Sequence, residues 1–326
     1  MVKFVTLRDK EWRVVRAIPE SLTISEVSSR SGLPQYEVSR ILSYKTGLRA
    51  KAEIRFEINY RKFGILKVST ISTRDIKEVP YMRSKRIVRI MGRKYYLYAG
   101  LLPEDEEILD KWLAHFEEES IVVRALERAW WDPRSEATVH TNGELCGVVD
   151  KLRELANDNS IRIVERKVFS LDEADAAILI AKLVWAFNSL RKAEAYSEKY
   201  LGKRIPHQTL SRHFRRHVLK AWKGNRIRLY RDLNEIPYKL IYIEGNDAVR
   251  VARALVQLPW FHTAYLDVNK ALVSGQPPCE SALPLCRVLG EYDISALEMI
   301  MEPSLERVIP VNQLLKKLVE VRVRGR

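Results

Sequence analysis

Apolar residues recur along this chain in two periods, one helical and one strand-like, and the alternation between them runs through the sequence twice. From Thr6 to Leu42 the pattern suits three short helices with tight connections. Thr6-x-x-Asp9 is placed to cap a helix running to about Ile18, and Thr23-x-x-Glu26 is a capping box for a second helix ending near Gly32. Pro34 suits the first turn of a third, where its missing N–H would have had no partner. After Gly47, Ala52 to Ile58 alternates apolar and polar residues, the period of a strand with one buried face. Three helices and a β-ribbon predict a winged helix.

The plan restarts at Ser170-x-x-Glu173, with Leu179, Leu183, Ala186 and Leu190 as a helical stripe. A helix near Lys192 to Tyr200, Pro206 opening the next and Arg226 to Tyr230 as wing complete it. The stretches between read differently. The first predicts strand 65–72, helix 75–83, strands 86–91 and 94–102, helix 104–118 and strand 120–128. The second predicts strand 238–244, helix 246–257, strands 260–268 and 270–274, helix 279–289 and strand 293–301. That order is β-α-β-β-α-β, a ferredoxin-like sandwich. The expected fold class is α+β: winged helix-turn-helix domains at 1–63 and 171–232 alternate with ferredoxin-like domains at 64–170 and 233–326.

An internal duplication accounts for the doubling. Leu33-Pro34-Gln35-Tyr36-Glu37-Val38-Ser39-Arg40-Ile41-Leu42 aligns with Ile205-Pro206-His207-Gln208-Thr209-Leu210-Ser211-Arg212-His213-Phe214 at a shift of 172 residues. Each half also closes on a short helix and a β-like run, Ile161 to Arg166 in one and Val319 to Arg324 in the other.

The net charge is +14 over 326 residues, which points to a polyanionic partner. Its distribution sharpens the point. Residues 1–63 carry +6 and 171–232 carry +8, while 64–170 and 233–326 are balanced. From Lys199 to Arg231 there are eleven basic residues and no acidic one. No stretch is long and apolar enough to span a membrane and Met1 to Lys10 lacks a signal-peptide core, so a cytoplasmic, nucleoid-associated location is expected. Cys146, Cys279 and Cys286 form no CxxC pair, which suits a reducing compartment and excludes a zinc-finger spacing.

Leu171-Asp172-Glu173-Ala174-Asp175-Ala176-Ala177-Ile178-Leu179, the two Val/Leu-Ser-Arg steps of the third helices, and Lys62-Phe63-Gly64 before the first sandwich strand carry a family likeness. With these residues the chain resembles the leucine-responsive regulator (Lrp/AsnC-like) family of archaea and bacteria, with two divergent units in place of the usual one. The resemblance implies sequence-selective regulation of transcription, RAM- or ACT-like sandwiches that pair subunits into a homodimer, and a small-molecule effector at sandwich interfaces. No ligand residue for an effector is matched.

Under this reading the partner is double-stranded DNA. A recognition helix offers its first turns to base edges while wing and flanking cations hold phosphates. Gln35, Tyr36, Ser39 and Arg40 are then the reading residues of the first head, with Lys45, Arg49 and Lys51 at the backbone. In the second head His207, Gln208, Ser211, Arg212 and Arg215 read, and Lys203, Arg204, Arg216, Lys220, Lys223, Arg226 and Arg228 hold phosphates. An architectural DNA-binding protein and a nucleic-acid-processing enzyme are the competing readings.

Other signals lead to no catalytic residue, metal or cofactor. Asp172-Glu173-Ala174-Asp175 spells a helicase box, but no GxxxxGK[ST] precedes it. His213 and His217 share a helix face, yet without an HExxH pattern or a nearby cysteine they read as surface or DNA contacts. Glu104 to Glu107 opens a helix, where carboxylates suit the dipole. Trp130-Trp131 reads as packing.

Overall fold

The computed structural model describes residues 1–43, 47–158, 160, 161 and 168–324, and the side chains of all of these except 305 and 321–324. An opening strand, β1 (Val2–Thr6), leads into helices α1 (Asp9–Ala17), α2 (Ile24–Ser31) and α3 (Gln35–Ile41) and then strand β2 (Ala52–Ile58). Arg8, not Thr6, holds the N-cap position of α1, where the Glu11 carboxylate accepts from its backbone N–H at 2.9 Å, because Thr6 is spent in β1. Thr23 does cap α2, its side chain accepting from the Glu26 N–H. Strands β3 (Ile65–Ser72), β4 (Met82–Ile90) and β5 (Arg93–Pro103), helix α4 (Glu106–Leu113) and strands β6 (Ile121–Arg124) and β7 (Glu127–Ala129) follow. No helix forms at 75–83.

Strands β8 (Thr138–Thr141) and β9 (Glu144–Gly147) make a hairpin whose two turn residues, Asn142 and Gly143, both have positive φ (51° and 74°). That is the turn an Asn-Gly pair favours. β1 pairs with β9 in a small three-stranded sheet. Then come the short α5 (Leu152–Leu155) and helices α6 (Glu173–Val184), α7 (Leu190–Leu201) and α8 (His207–His213). Asp172, two residues past the Ser170 that the spacing favoured, caps α6. A π-helical turn (Phe214–Val218) and α9 (Leu219–Ala221) lead directly into β10 (Trp222–Leu229). The last part holds β11 (Lys239–Glu244), α10 (Ala248–Leu255), β12 (Phe261–Leu266), β13 (Lys270–Gly275), α11 (Ala282–Leu289), β14 (Ser295–Val308) and α12 (Val311–Arg324). The run at 319–324 is therefore helical: Leu314, Leu315, Leu318 and Val319 are all buried, a helical spacing. The matching run at 161–166 lies almost wholly outside the described residues.

Two pairings overturn the expectation of separate winged helices and sandwiches. β2 and β10, the intended wings, pair antiparallel with each other, so the two heads share one two-stranded ribbon. Every strand of the intended sandwiches joins one nine-stranded antiparallel sheet, ordered β6-β3-β5-β4-β14-β11-β13-β12-β7. β4 meets β14 at its centre. The two end strands, β6 and β7, are neighbours in the chain, so the sheet must curl to place them there. Arg124 at the end of β6 donates from its backbone N–H to Asp267 beyond β12 at 2.9 Å, which ties the curl. The result is a half-barrel, not four alternating modules. Its concave face buries Ile71, Val88, Leu97, Val123, Leu240, Tyr242, Leu272, Met299 and Met301. The physical reason is edge pairing: period-2 alternation fixes which face of a strand is buried and leaves the neighbour at its edge open.

Candidate functional site

Where the ribbon lies against the half-barrel, a cavity of about 510 Å³ opens onto the concave face. That size suits a small-molecule pocket, for which roughly 300–1,000 Å³ is usual. Its floor is apolar, with Leu97, Leu240, Leu272 and Met301. Its rim is basic and phenolic. The ribbon and the segment after it bring Arg55, Arg228, Tyr230 and Arg231, while β4 brings Arg83 and Arg86. Tyr238 and Tyr265 complete the wall. The register shift between Met82 and Ser84 lets two sequence neighbours, Arg83 and Ser84, both face the cavity.

These arginines are unequally matched by carboxylates. Glu53 pairs with Arg55 and lies 3.3 Å from Arg228, and Arg231 pairs with Glu235 at 2.6 Å. Glu302 faces Arg89. Arg83 donates to the carbonyl of Ile309. Neither Arg83 nor Arg86 has a carboxylate partner among the described residues. Burial, and then the charge of Arg55, push the Arg83 guanidinium below its ordinary value, and burial with Arg228 does the same to Arg86. The cavity therefore holds more positive charge than the protein neutralises.

Behind the rim sits a buried polar layer. Arg226, 2% exposed, meets Glu57 at 2.9 Å, and Arg128 also pairs with Glu57. Burial alone would raise the Glu57 carboxyl, but Arg128 and Arg226 hold it down at about 2. Arg228 donates to the Thr263 hydroxyl at 3.1 Å. His262 is wholly buried; it bonds to the Leu229 carbonyl at 2.8 Å, and its other nitrogen lies 3.3 Å from the Tyr238 hydroxyl. Burial, and then Arg228, push His262 down to about 3, so the ring is neutral. A neutral ring donating from Nε2 leaves Nδ1 to accept from Tyr238, which orients that phenol at the cavity wall.

Of the residues singled out by sequence, only Arg228 belongs to this rim. Gln35, Tyr36, Ser39 and Arg40 are exposed on α3, Lys45 lies outside the described residues, Arg49 stacks on Trp185 at 3.9 Å, and Lys51 bonds to Glu11 and the Thr6 carbonyl. His207, Gln208 and Arg212 are exposed on α8, with Ser211 half-buried beside them. Arg215, Arg216, Lys220 and Lys223 are exposed after it. Lys203 and Arg204 pair with Glu173 and Glu194. Trp131 is buried and donates to the Thr138 hydroxyl at 2.9 Å, a packing role. Sequence reading missed Arg55, Arg83, Arg86 and Arg231. A signal was present for Arg86, which shares its strand phase with the buried Val88: a cation at a core-facing position.

Among the described residues no helix is long and apolar enough to cross a membrane. No family profile and no curated protein matches the chain. Among solved structures it is similar to the siroheme decarboxylase NirDL, at 10% identity over 96% of this chain and 99% of that one, with a TM-score of 0.43. The same enzyme in complex with an iron-uroporphyrin III analogue gives 10% identity, coverage of 97% and 98%, and a TM-score of 0.43. An anthrone oxidase-like protein gives 7% identity, coverage of 77% and 94%, and a TM-score of 0.29. At such distances no activity transfers to this chain.

The expected membership of the leucine-responsive regulator family, the DNA-binding function and the DNA partner are corrected by the fold, in which the two heads share one ribbon and the two sandwiches one sheet. The wings that would clasp phosphates hold each other, and Arg226 and Arg228 are turned into the molecule. The edges of β4 and β14 are occupied by one another within the chain.

Proposed function

We propose that the half-barrel cavity binds a small molecule carrying several carboxylates on an apolar body. The observation that carries this reading is the pair of guanidiniums, Arg83 and Arg86, facing the cavity without a carboxylate partner among the described residues. Planar guanidinium forks match carboxylates bidentately, and an apolar floor accepts the body that joins them. The phenols of Tyr230, Tyr238 and Tyr265 supply further polar contacts at fixed positions. The three cysteines are unpaired, which supports a reducing, cytoplasmic setting for such a site.

The test is titration of the full chain, by calorimetry and absorbance, with three probes: uroporphyrin III, citrate and inorganic phosphate. Saturable binding of a carboxylate probe is expected, weakened roughly 10–100-fold by Arg86→Met and by Arg83→Met, the worth of one hydrogen bond to a charged group. Uroporphyrin preference supports the large apolar body, and citrate preference a small one. Binding of neither, or binding indifferent to both substitutions, overturns the proposal.

A further inference from the structure

We propose that Asp175, His213 and His217 form a binding site for a divalent transition-metal ion, separate from the half-barrel cavity. The site is built by two elements far apart in sequence. Asp175 lies in the first turn of α6, 0% exposed, with its backbone N–H held by the capping carboxylate of Asp172 at 2.9 Å. His213 ends α8 and His217 lies in the π-helical turn that follows. Such turns are rare in helices and cluster at functional positions, because the extra residue re-aims side chains.

Three ligand atoms converge. Asp175 Oδ1 lies 3.3 Å from His213 Nδ1 and 3.2 Å from His217 Nδ1, and Oδ2 lies 3.0 Å from His217 Nδ1. All three groups present an atom within 4.8 Å of the others. Charge-assisted hydrogen bonds run shorter, about 2.7–2.9 Å. The spacing is that of ordinary hydrogen bonds and also that of the edge of a coordination tetrahedron, about 3.3 Å for bonds of 2.0–2.1 Å. The two imidazole rings stand nearly perpendicular, at 81° and 4.9 Å between centres, and each turns its Nδ1 to the Asp175 carboxylate. Phe169 stacks on His217 at 5.0 Å and fixes that ring.

The surroundings leave a coordination position for a fourth ligand. Asp172 Oδ2 is 3.4 Å from His213 Nδ1. A cavity of about 560 Å³, lined by Asp172, Thr209, Lys203 and His213 among others, opens beside the group. Two imidazoles and one carboxylate, with access for water or an anion, are the donor set of a zinc or ferrous site with an open position. Lys203 and Arg204 stand at the cavity wall, paired with Glu173 and Glu194.

The test uses the full chain, untagged and stripped with chelator. Zn²⁺ is titrated calorimetrically, and Co²⁺ replaces it as a spectroscopic probe. One ion per chain is expected, with visible d–d bands of tetrahedral or five-coordinate cobalt and a rise in Tm on adding Zn²⁺. His213→Ala and His217→Ala should each weaken binding by more than the roughly 10–100-fold that outer-shell changes cost. Asp175→Asn is the buried variant most exposed to misfolding, so the two histidine variants are the deciding ones, with circular dichroism confirming their fold. Absence of Zn²⁺ or Co²⁺ binding, or binding that survives both histidine substitutions, overturns the proposal. Neither outcome bears on the half-barrel cavity, whose arginines lie elsewhere.

Discussion

Glu57 Oε1 accepts from the Arg226 guanidinium at 2.9 Å between the two paired wing strands, with side chains 4% and 2% exposed, so a residue expected to touch phosphate is sealed inside a protein ion pair. Arg128 shares the same carboxylate. Removing Glu57 strands two guanidiniums, whereas removing Arg226 leaves the acid one partner. Glu57→Gln should therefore cost roughly 3–5 kcal/mol and Arg226→Met distinctly less. Urea unfolding of both variants checks the ranking, and the reverse order would mean that Arg128 does not share the acid.

Arg86 predicts a trade between stability and binding. Its half-buried charge has no carboxylate partner among the described residues, so Arg86→Met removes a cost from the unliganded fold while deleting a ligand contact. The variant should be more stable by about 0.5–1 kcal/mol, and should bind polycarboxylates more weakly. A thermal melt without ligand reads the first half. A lower Tm in the variant would mean that the guanidinium is already compensated.

His262 predicts an acid sensitivity with a defined window. Its folded pKa, about 3, lies below the ordinary imidazole value of 6.5. Above pH 6.5 both states hold the ring neutral and no stability is lost. As pH falls below 6.5 the unfolded chain takes a proton that the fold refuses until about pH 3. Stability then drops by about 1.4 kcal/mol per pH unit once the unfolded ring is charged. His262→Gln should flatten the slope of unfolding free energy between pH 6 and 5 relative to the parent. Equal slopes would show that the buried ring is charged in the fold.

Gly147 predicts an overpacking effect at the joint between the small sheet and the half-barrel. A Cβ there would stand 2.3 Å from ring carbons of Trp260, which is wholly buried. With no room for the indole to give way, Gly147→Ala should destabilise by about 1–3 kcal/mol. A melt indistinguishable from the parent would show that Trp260 can move.

The amino-acid sequence by itself determined much of the local structure. Pro34 and Pro206 stand one residue earlier than the first helical turn, as the extended N-cap residues of helices that begin at Gln35 and His207, where a missing N–H costs no intrahelical bond. Alternation at Ala52–Ile58 announced a strand for the same kind of local reason.

Only the tertiary structure decided what those strands pair with and where the charge ends up. An alternating strand states its buried face but is silent on its edge, so β2 with β10 and β4 with β14 could not be read from period alone. A basic run likewise counts charge without locating it: Lys220 remains in solvent while Arg226, six residues on, is buried against an acid from another strand. Asp175 and His217, 42 residues apart, meet only because α6 packs against the turn after α8. Long-range packing is set by which apolar surfaces can be covered together, and that is a property of the whole chain, not of any window along it.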